Sequence, residues 1–364
     1  MIGIAYILVE PSYSNSIWCK NILSGLLDEI RQKRMAYQQI NNIEQVNREE
    51  EPYIFIIGSD IDWVNRTLVI CNEKGIYPIL LCNQAYHVFD VEYSCVCSDI
   101  IGSMRYLIDS LKAMGKSKVA MYGVNRKSIS DISRMESFLS VQKNADLNQI
   151  YLNSGSLKQC YQSFIKEAEK YDAVICANDF AAISLICYLR EKHQEMLEHL
   201  TIMSCAETQL SKYDTGLTSI NMNFKEYGGA AISIYDCLKR NRFLSHIVMA
   251  IKWHIGAPKF AEFQRIGQML DESMVEIPES DIFYEDLELM KMLKIEQLLN
   301  QSDEIDRIIV NGLLDEQSYE KISIECFMSE SSVKYRVKKM METCGMDSKY
   351  KLINLLREYI NTVI

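Results

Sequence analysis

The chain has 364 residues, 48% of them hydrophobic and 24% charged, with a formal net charge of −10. That length suffices for two or three compact units, each with its own core. The acid excess excludes a chain that coats nucleic acid over its whole surface, so any DNA contact must come from a local basic patch.

Residues 2–9, IGIAYILV, read as a strand and not as a secretory leader, which would open on basic residues. No apolar run approaches the length needed to span a bilayer, so a cytoplasmic chain without membrane contact is expected. The twelve cysteines are scattered and form no Cys-x-x-Cys pair, although Cys95 and Cys97 would share one strand face. Reduced, mostly buried thiols are therefore expected.

From residue 2 to about 220, short apolar runs alternate with amphipathic stretches. Strands are expected at 2–9, 53–57, 77–81, 119–122, 173–176 and 201–204, and helices at 17–33, 64–74, 98–114, 134–142 and 180–192. Strands that are apolar throughout and separated by helices imply an α/β fold with parallel sheets covered on both faces. Small ligands bind such sheets at the carboxyl ends of the strands. No nucleophile elbow, phosphate loop or zinc motif occurs, and His87, His193, His199, His246 and His254 have no metal-ligand spacing. No catalytic residue, metal or cofactor is assigned, and an enzyme is not expected.

Several motifs occur in a telling order. They are PSYSNSIW at 11–18 with Leu23 and Gly25, then GIYPILLCN at 75–83. Next come Ser98-Asp99 with Leu107, Leu111, Gly115 and Val119-Ala120, then Arg134 with Phe138. Last are CANDFAA at 176–182 and LTSI at 217–220 with Phe224 and Gly228. Together they resemble the LacI-family sensor domain, of periplasmic-binding-protein type I fold, over roughly residues 1–265. The resemblance implies two lobes, about 1–112 with 222–244 and about 113–221 with 245–270, joined by three chain crossings. It also implies a cleft for a small polar effector such as a sugar or related metabolite, whose binding is transmitted as a change between lobe arrangements.

Carried over position by position, the cleft is lined by Ser14, Trp18, Ser59, Asp60, Arg134, Asn178, Met222 and Asn223. Trp18 offers a flat apolar face, and Arg134 suits a carboxylate, a phosphate or paired hydroxyls. Each has a plainer reading: Trp18 as core, Asp179 as the cap of the following helix, Arg134 paired with Glu136 or a surface acid. Sugar-binding members carry an aspartate after the strand at 201–204, where this chain has Ala206 and Glu207. That departure argues against a neutral monosaccharide, and for another polar molecule or a cleft turned into a fixed structural element.

A strand-like run at 247–253 and a loop at 256–258 close the sensor, assigned to 1–275. An acidic helix at 280–299 comes next, with Phe283, Leu287, Met290, Leu293, Leu298 and Leu299 apolar. It reads either as packed on its own sensor or as a connector, assigned to 276–300, that couples the sensor to the last domain and pairs with its twin. Further helices are expected at about 303–314, 318–325, 329–344 and 349–360. In the third, Ser329 is the cap, Val333, Val337, Met340 and Met341 point inward, and Gly345 ends the helix. Ser332, Lys334, Tyr335, Lys338 and Lys339 point outward, which suits a DNA major groove and equally a solvated lysine face.

MSESSVK at 328–334 and CGMDSK at 344–349 are similar to the LuxR-type four-helix helix-turn-helix domain, assigned to 301–364. By that pattern Lys334, Tyr335 and Lys338 face base edges, while Ser332, Arg336 and Lys339 sit nearer phosphates. Leu352, Leu355, Leu356 and Tyr359 would form a dimer contact, implying a homodimer on a palindromic operator in double-stranded DNA. Two departures stand out: Glu316 occupies a turn position that usually holds Gly, and residues 300–364 hold eleven Asp/Glu against nine Lys/Arg. The expected protein is a ligand-responsive DNA-binding regulator with the sensor first and the reader last, the reverse of the usual LacI order. The alternative is a signalling module whose C-terminal helices dock a protein partner. A plain solute-binding protein for transport conflicts with the expected lack of a leader.

Overall fold

The computed structural model describes residues 4–14, 16–84, 86–87, 89–126, 128–142, 147–205, 208–213, 217–241, 243–253 and 286–360. Its strands are β1 (Ile4–Val9), β2 (Ala36–Ile40), β3 (Tyr53–Ile57), β4 (Tyr77–Leu81), β5 (Ser94–Ser98), β6 (Val119–Val124), β7 (Ile150–Leu152), β8 (Ala173–Cys176), β9 (Thr201–Cys205), β10 (Thr218–Ile220) and β11 (Val248–Ile251). The helices are α1 (Ile17–Gln32), α2 (Ile61–Glu73), α3 (Ile100–Ala113), α4 (Ile129–Val141), α5 (Leu157–Phe164), α6 (Asp179–Lys192), α7 (Gln209–Lys212), α8 (Glu226–Arg240), α9 (Leu287–Gln301), α10 (Glu304–Leu314), α11 (Tyr319–Glu325), α12 (Glu330–Cys344) and α13 (Lys349–Tyr359). No described helix is both long and apolar enough to cross a membrane.

Two compact units result, the described residues 4–106 with 222–253 and 107–221 with 286–360. The first holds a six-stranded sheet in the order β11-β5-β4-β3-β1-β2, every pairing parallel. Tyr6, Leu8, Ile54, Ile56 and Leu80 form the core on one side of it. Helices α1 and α8 pack together with their backbones touching. A Cβ on Gly25 would lie 2.1 Å from the carbonyl oxygen of Lys225, and one on Gly228 would lie 2.2 Å from the carbonyl carbon of Gly25. Only glycine leaves room for that approach.

The second unit holds a five-stranded parallel sheet, β10-β9-β8-β6-β7. Its core does not stop at the sheet. It runs from Tyr122, Val174 and Leu185 through Leu289, Ile295 and Leu299 of α9 to Val333, Val337 and Leu356 of the last helices. Helix α9 packs on α6, α7, α12 and α13. This is the packed form of the two readings of that helix, and the C-terminal helices share a core with the second sheet. Residues 280–285 of the expected connector, the loop at 256–258 and the Ala206-Glu207 departure lie outside the described residues.

Some expectations are corrected. Val248–Ile251 pairs in parallel with Cys95–Ser98 in the first sheet, so this part of 245–270 does not belong to the second lobe. Leu352, Leu355, Leu356 and Tyr359 are at most 6% exposed within their own chain, so α13 offers no free apolar face for a dimer. Helix α4 begins five residues earlier than expected, because the Ser128 hydroxyl accepts the Asp131 N–H. All twelve cysteines are thiols, and all but Cys187 and Cys237 are buried.

Candidate functional site

At the carboxyl edge of the first sheet, chain direction puts the ends of β1, β3 and β4 side by side. Glu10, directly after β1, is fully buried. Its Oε2 accepts the N–H groups of Ser59 (2.7 Å) and Asp60 (3.1 Å), which come after β3. Burial raises its carboxyl above the usual carboxylate range, against the pull of those two N–H groups. The Ser59 hydroxyl donates to Asn83 Oδ1 at 2.7 Å, and Gln84 Nε2 donates to the Ser59 carbonyl and hydroxyl at 2.6 and 2.8 Å. Asp60 caps α2, accepting the Trp63 N–H at 2.7 Å. Ser14 is exposed and donates to the Pro11 carbonyl, while Trp18 is half-buried in the first turn of α1. Met222 is buried, and Asn223 has a left-handed backbone (φ 53°) with its amide donating to the Lys252 carbonyl.

In the second unit Arg134 is buried. Its guanidinium donates to Asp131 (3.0 Å) and to the carbonyl of Ala177 (2.9 Å), the residue before Asn178. Asn178 is the N-cap of α6, its Oδ1 accepting the Ala181 N–H at 3.0 Å. Asp179 is therefore not the cap. It is a fully buried hub that accepts the hydroxyls of Ser204 (2.5 Å), Ser219 (2.6 Å) and Thr208 (2.9 Å) and the Thr208 N–H (2.7 Å). Those four donors replace the water that the buried Asp179 carboxyl gives up.

In the C-terminal helices, α12 has the form its residues dictate. The Ser329 hydroxyl accepts the Ser332 N–H, Val333, Val337 and Met340 are buried, and Gly345 closes the helix at φ 66°. Lys334, Tyr335, Lys338 and Lys339 lie exposed along the opposite face. Lys334 pairs with Glu330 (2.7 Å) and lies 5.7 Å from the centre of the Tyr319 ring, and Lys338 pairs loosely with Glu342 (3.9 Å). Arg336 is held differently. It reaches Asp303 and Asp306 at the start of α10, both at 2.8 Å, and so ties α12 to α10. Ser332 is half-buried, its hydroxyl 2.8 Å from that of Ser329. A cavity of about 530 Å³ runs beside α12, bordered by Asp303, Asp306, Tyr335, Arg336 and Lys339.

No family model and no curated protein matches the sequence. Solved structures do match the fold. The transcriptional regulator CelR in complex with cellobiose is 12% identical over 71% of this chain and 84% of its own, with a TM-score of 0.54. A LacI regulator from Bacillus cereus subsp. cytotoxis is 14% identical over 72% of this chain and all of its own, with a TM-score of 0.55. A CCPA regulator of the LacI family from Weissella paramesenteroides, with bound sucrose, is 18% identical over 70% and 97%, with a TM-score of 0.52. The two-sheet part has the LacI-type sensor fold.

Within this LacI-type fold, sequence reasoning found the edge of the first sheet but missed the residue that organises it. Ser59 and Asp60 meet at the Glu10 carboxylate. An acid closing an otherwise apolar strand, IAYILVE, was the available signal. Likewise Arg134 and Asn178 meet at Ala177, while Asp179, set aside as a cap, carries the buried network of that loop.

Proposed function

We propose that the chain is a ligand-responsive DNA-binding transcription regulator. The LacI-type sensor takes a small polar effector, and the four C-terminal helices read double-stranded DNA in the cytoplasm. The observation that carries the reading is α12: capped at both ends, buried on one face, and presenting Lys334, Tyr335, Lys338 and Lys339 in two adjacent i, i+4 rows on the other. Exposed i, i+4 ion pairs contribute only about 0.3–0.5 kcal/mol, so Glu330 and Glu342 yield their lysines readily to phosphate or base edges. Arg336 is assigned to holding α12 in place, and Lys339 to phosphate. Ser14, Trp18, Ser59, Asp60, Arg134, Asn178, Met222 and Asn223 are proposed to line or support the effector site. A homodimer on a palindromic operator fits the reading, with its dimer contact outside α13.

The double substitution Lys334→Ala with Lys338→Ala should abolish site-specific binding to the chain's own upstream DNA while leaving the thermal melt unchanged. An unaltered sequence preference would refute the assignment. A second reading, docking of a protein partner, is favoured by Phe327 and Ile324, which are 98% and 68% exposed beside α12. Salt separates the two. DNA binding should weaken with a log–log slope of about −0.9 per phosphate contacted, whereas apolar docking barely responds.

A further inference from the structure

The short turn that opens α7 is held from two sides by buried carboxylates. Asp179, one residue after Asn178, accepts the Thr208 N–H at 2.7 Å. Glu296, from the middle of α9, accepts the next two: Gln209 N–H at 2.8 Å and Leu210 N–H at 2.7 Å. Three successive backbone amides are thus gripped by one acid from the effector loop and one from the helix that leads into the reader. Both acids are buried, Asp179 at 0% and Glu296 at 3% exposure. The Glu296 carboxylate is completed by the Asn300 amide at 3.1 Å, and the Thr208 hydroxyl both donates to Asp179 (2.9 Å) and accepts the Ser211 N–H (3.2 Å).

A carboxyl group this deeply buried is tolerated only while its donors stay in place, because losing one leaves a polar oxygen unsatisfied in an apolar surrounding. The turn therefore cannot shift by a hydrogen-bond length at one grip without straining the other. Helix α9 in turn packs on α12 and α13, so its position is felt by the exposed face of α12.

We infer that Thr208–Leu210 is the coupling element of the protein, and that Glu296 is the positioning residue that passes the state of the Asn178–Asp179 loop to the reader helices. The inference rests on the regulator reading for its purpose, but its mechanical content is independent of DNA. It assigns a role to Glu296, Thr208 and Asp179 that an ordinary packed interface would not need.

The test is hydrogen exchange on the full chain for Thr208→Val, Thr208→Ser, Glu296→Gln and the Val/Gln double variant. Thr208 bonds to Asp179 and within its own turn, yet its valine variant should raise exchange across α9 (Leu287–Gln301) at least tenfold. Serine keeps the hydroxyl and should behave as wild type. The double variant should be no worse than the worse single one, since both cut the same connection. If Thr208→Val loosened only residues 204–221, or if the two substitutions added, the coupling role would be overturned. Should Thr208→Val not fold, Ser204→Ala, which removes a different donor from Asp179, takes its place with the same expectation. Binding of the chain's own upstream DNA fragment gives the second readout, with Thr208→Val and Glu296→Gln shifting Kd at least threefold in the same direction. Wild type that binds no DNA but shows coupled exchange would sink the regulator reading alone. Wild type that binds DNA with uncoupled exchange would sink this inference alone.

Discussion

At the scale of single residues, two side chains near α12 separate stability from recognition. Arg336 spends its guanidinium on Asp303 and Asp306, at 26% side-chain exposure. Replacing it with alanine leaves two carboxylates without their partner and should cost about 1 kcal/mol. Lys339→Ala on the exposed face should stay within about 0.5 kcal/mol. Urea melts of the two variants decide this, and equal effects would remove the strut role of Arg336. Phe327 is the opposite case. It is 98% exposed and sits at φ 52°, in the left-handed region that a non-glycine residue enters at a cost of about 1–2 kcal/mol. Phe327→Gly loses almost no packing, and part of the gain is offset by glycine's greater freedom in the unfolded chain. A rise in melting temperature equivalent to about 0.5–1 kcal/mol is expected in a thermal scan. A fall would mean that the ring makes contacts its exposure does not suggest.

At the scale of elements, legibility in the sequence tracked the chemistry of helix ends. The helices after residue 300 were readable because Ser318, Ser329 and Ser348 each accept an N–H at a helix start, and because Gly345 takes the left-handed turn. Strand β5, SCVCS, entered the sequence reading only as the face shared by Cys95 and Cys97, because serines and cysteines interrupt any apolar run, yet all five positions are buried. Strand β2, AYQQI, was missed for the converse reason: four of its five residues face solvent at a sheet edge. For the candidate site, Asn178 and Asp179 are both cap-forming types, so local sequence could not say which caps. The choice is made by Ser204, Thr208 and Ser219, which lie 25 to 40 residues away.

Helix α9 supplies the pH prediction. Burial pushes the Glu296 carboxyl up to about 7, against its donors Gln209, Leu210 and Asn300, and the nearby Asp179 charge adds to the rise. The folded state thus keeps a proton between the ordinary value of 4.5 and about 7 that the unfolded chain gives up. Stability conferred by this group therefore falls as pH rises through that window and levels off above it, by about 3 kcal/mol in all. Glu296→Gln carries no titrating group and should lack this component. Urea melts at pH 5 and pH 8 measure it as the difference between wild type and variant. The same pH response in both would assign the effect to other groups.

At the scale of the whole molecule, the amphipathic stripe of α9 told that the helix buries a face, but not against what. The structure answers with one core that joins the second sheet, α9 and the C-terminal helices α10–α13. That shared core limits how the protein can be divided. A C-terminal helical bundle tethered as a separate bead could be removed without harm to the sheets before it. Here, a chain ending at residue 285 loses Leu289, Met292, Ile295, Leu298 and Leu299, each at most 2% exposed, together with the Glu296 grip on α7. At about 2 kcal/mol per buried side chain the upper bound is about 10 kcal/mol, of which only the part facing α6 and α7 belongs to the remaining chain. Even half of that is comparable to the whole stability of a domain. The truncated chain should melt well below the full chain, or aggregate, and bind a hydrophobic dye at temperatures where the full chain does not. A truncated chain that melts like the full one would show the C-terminal helices to be an independent module. The coupling through Thr208–Leu210 would then lose its mechanical basis.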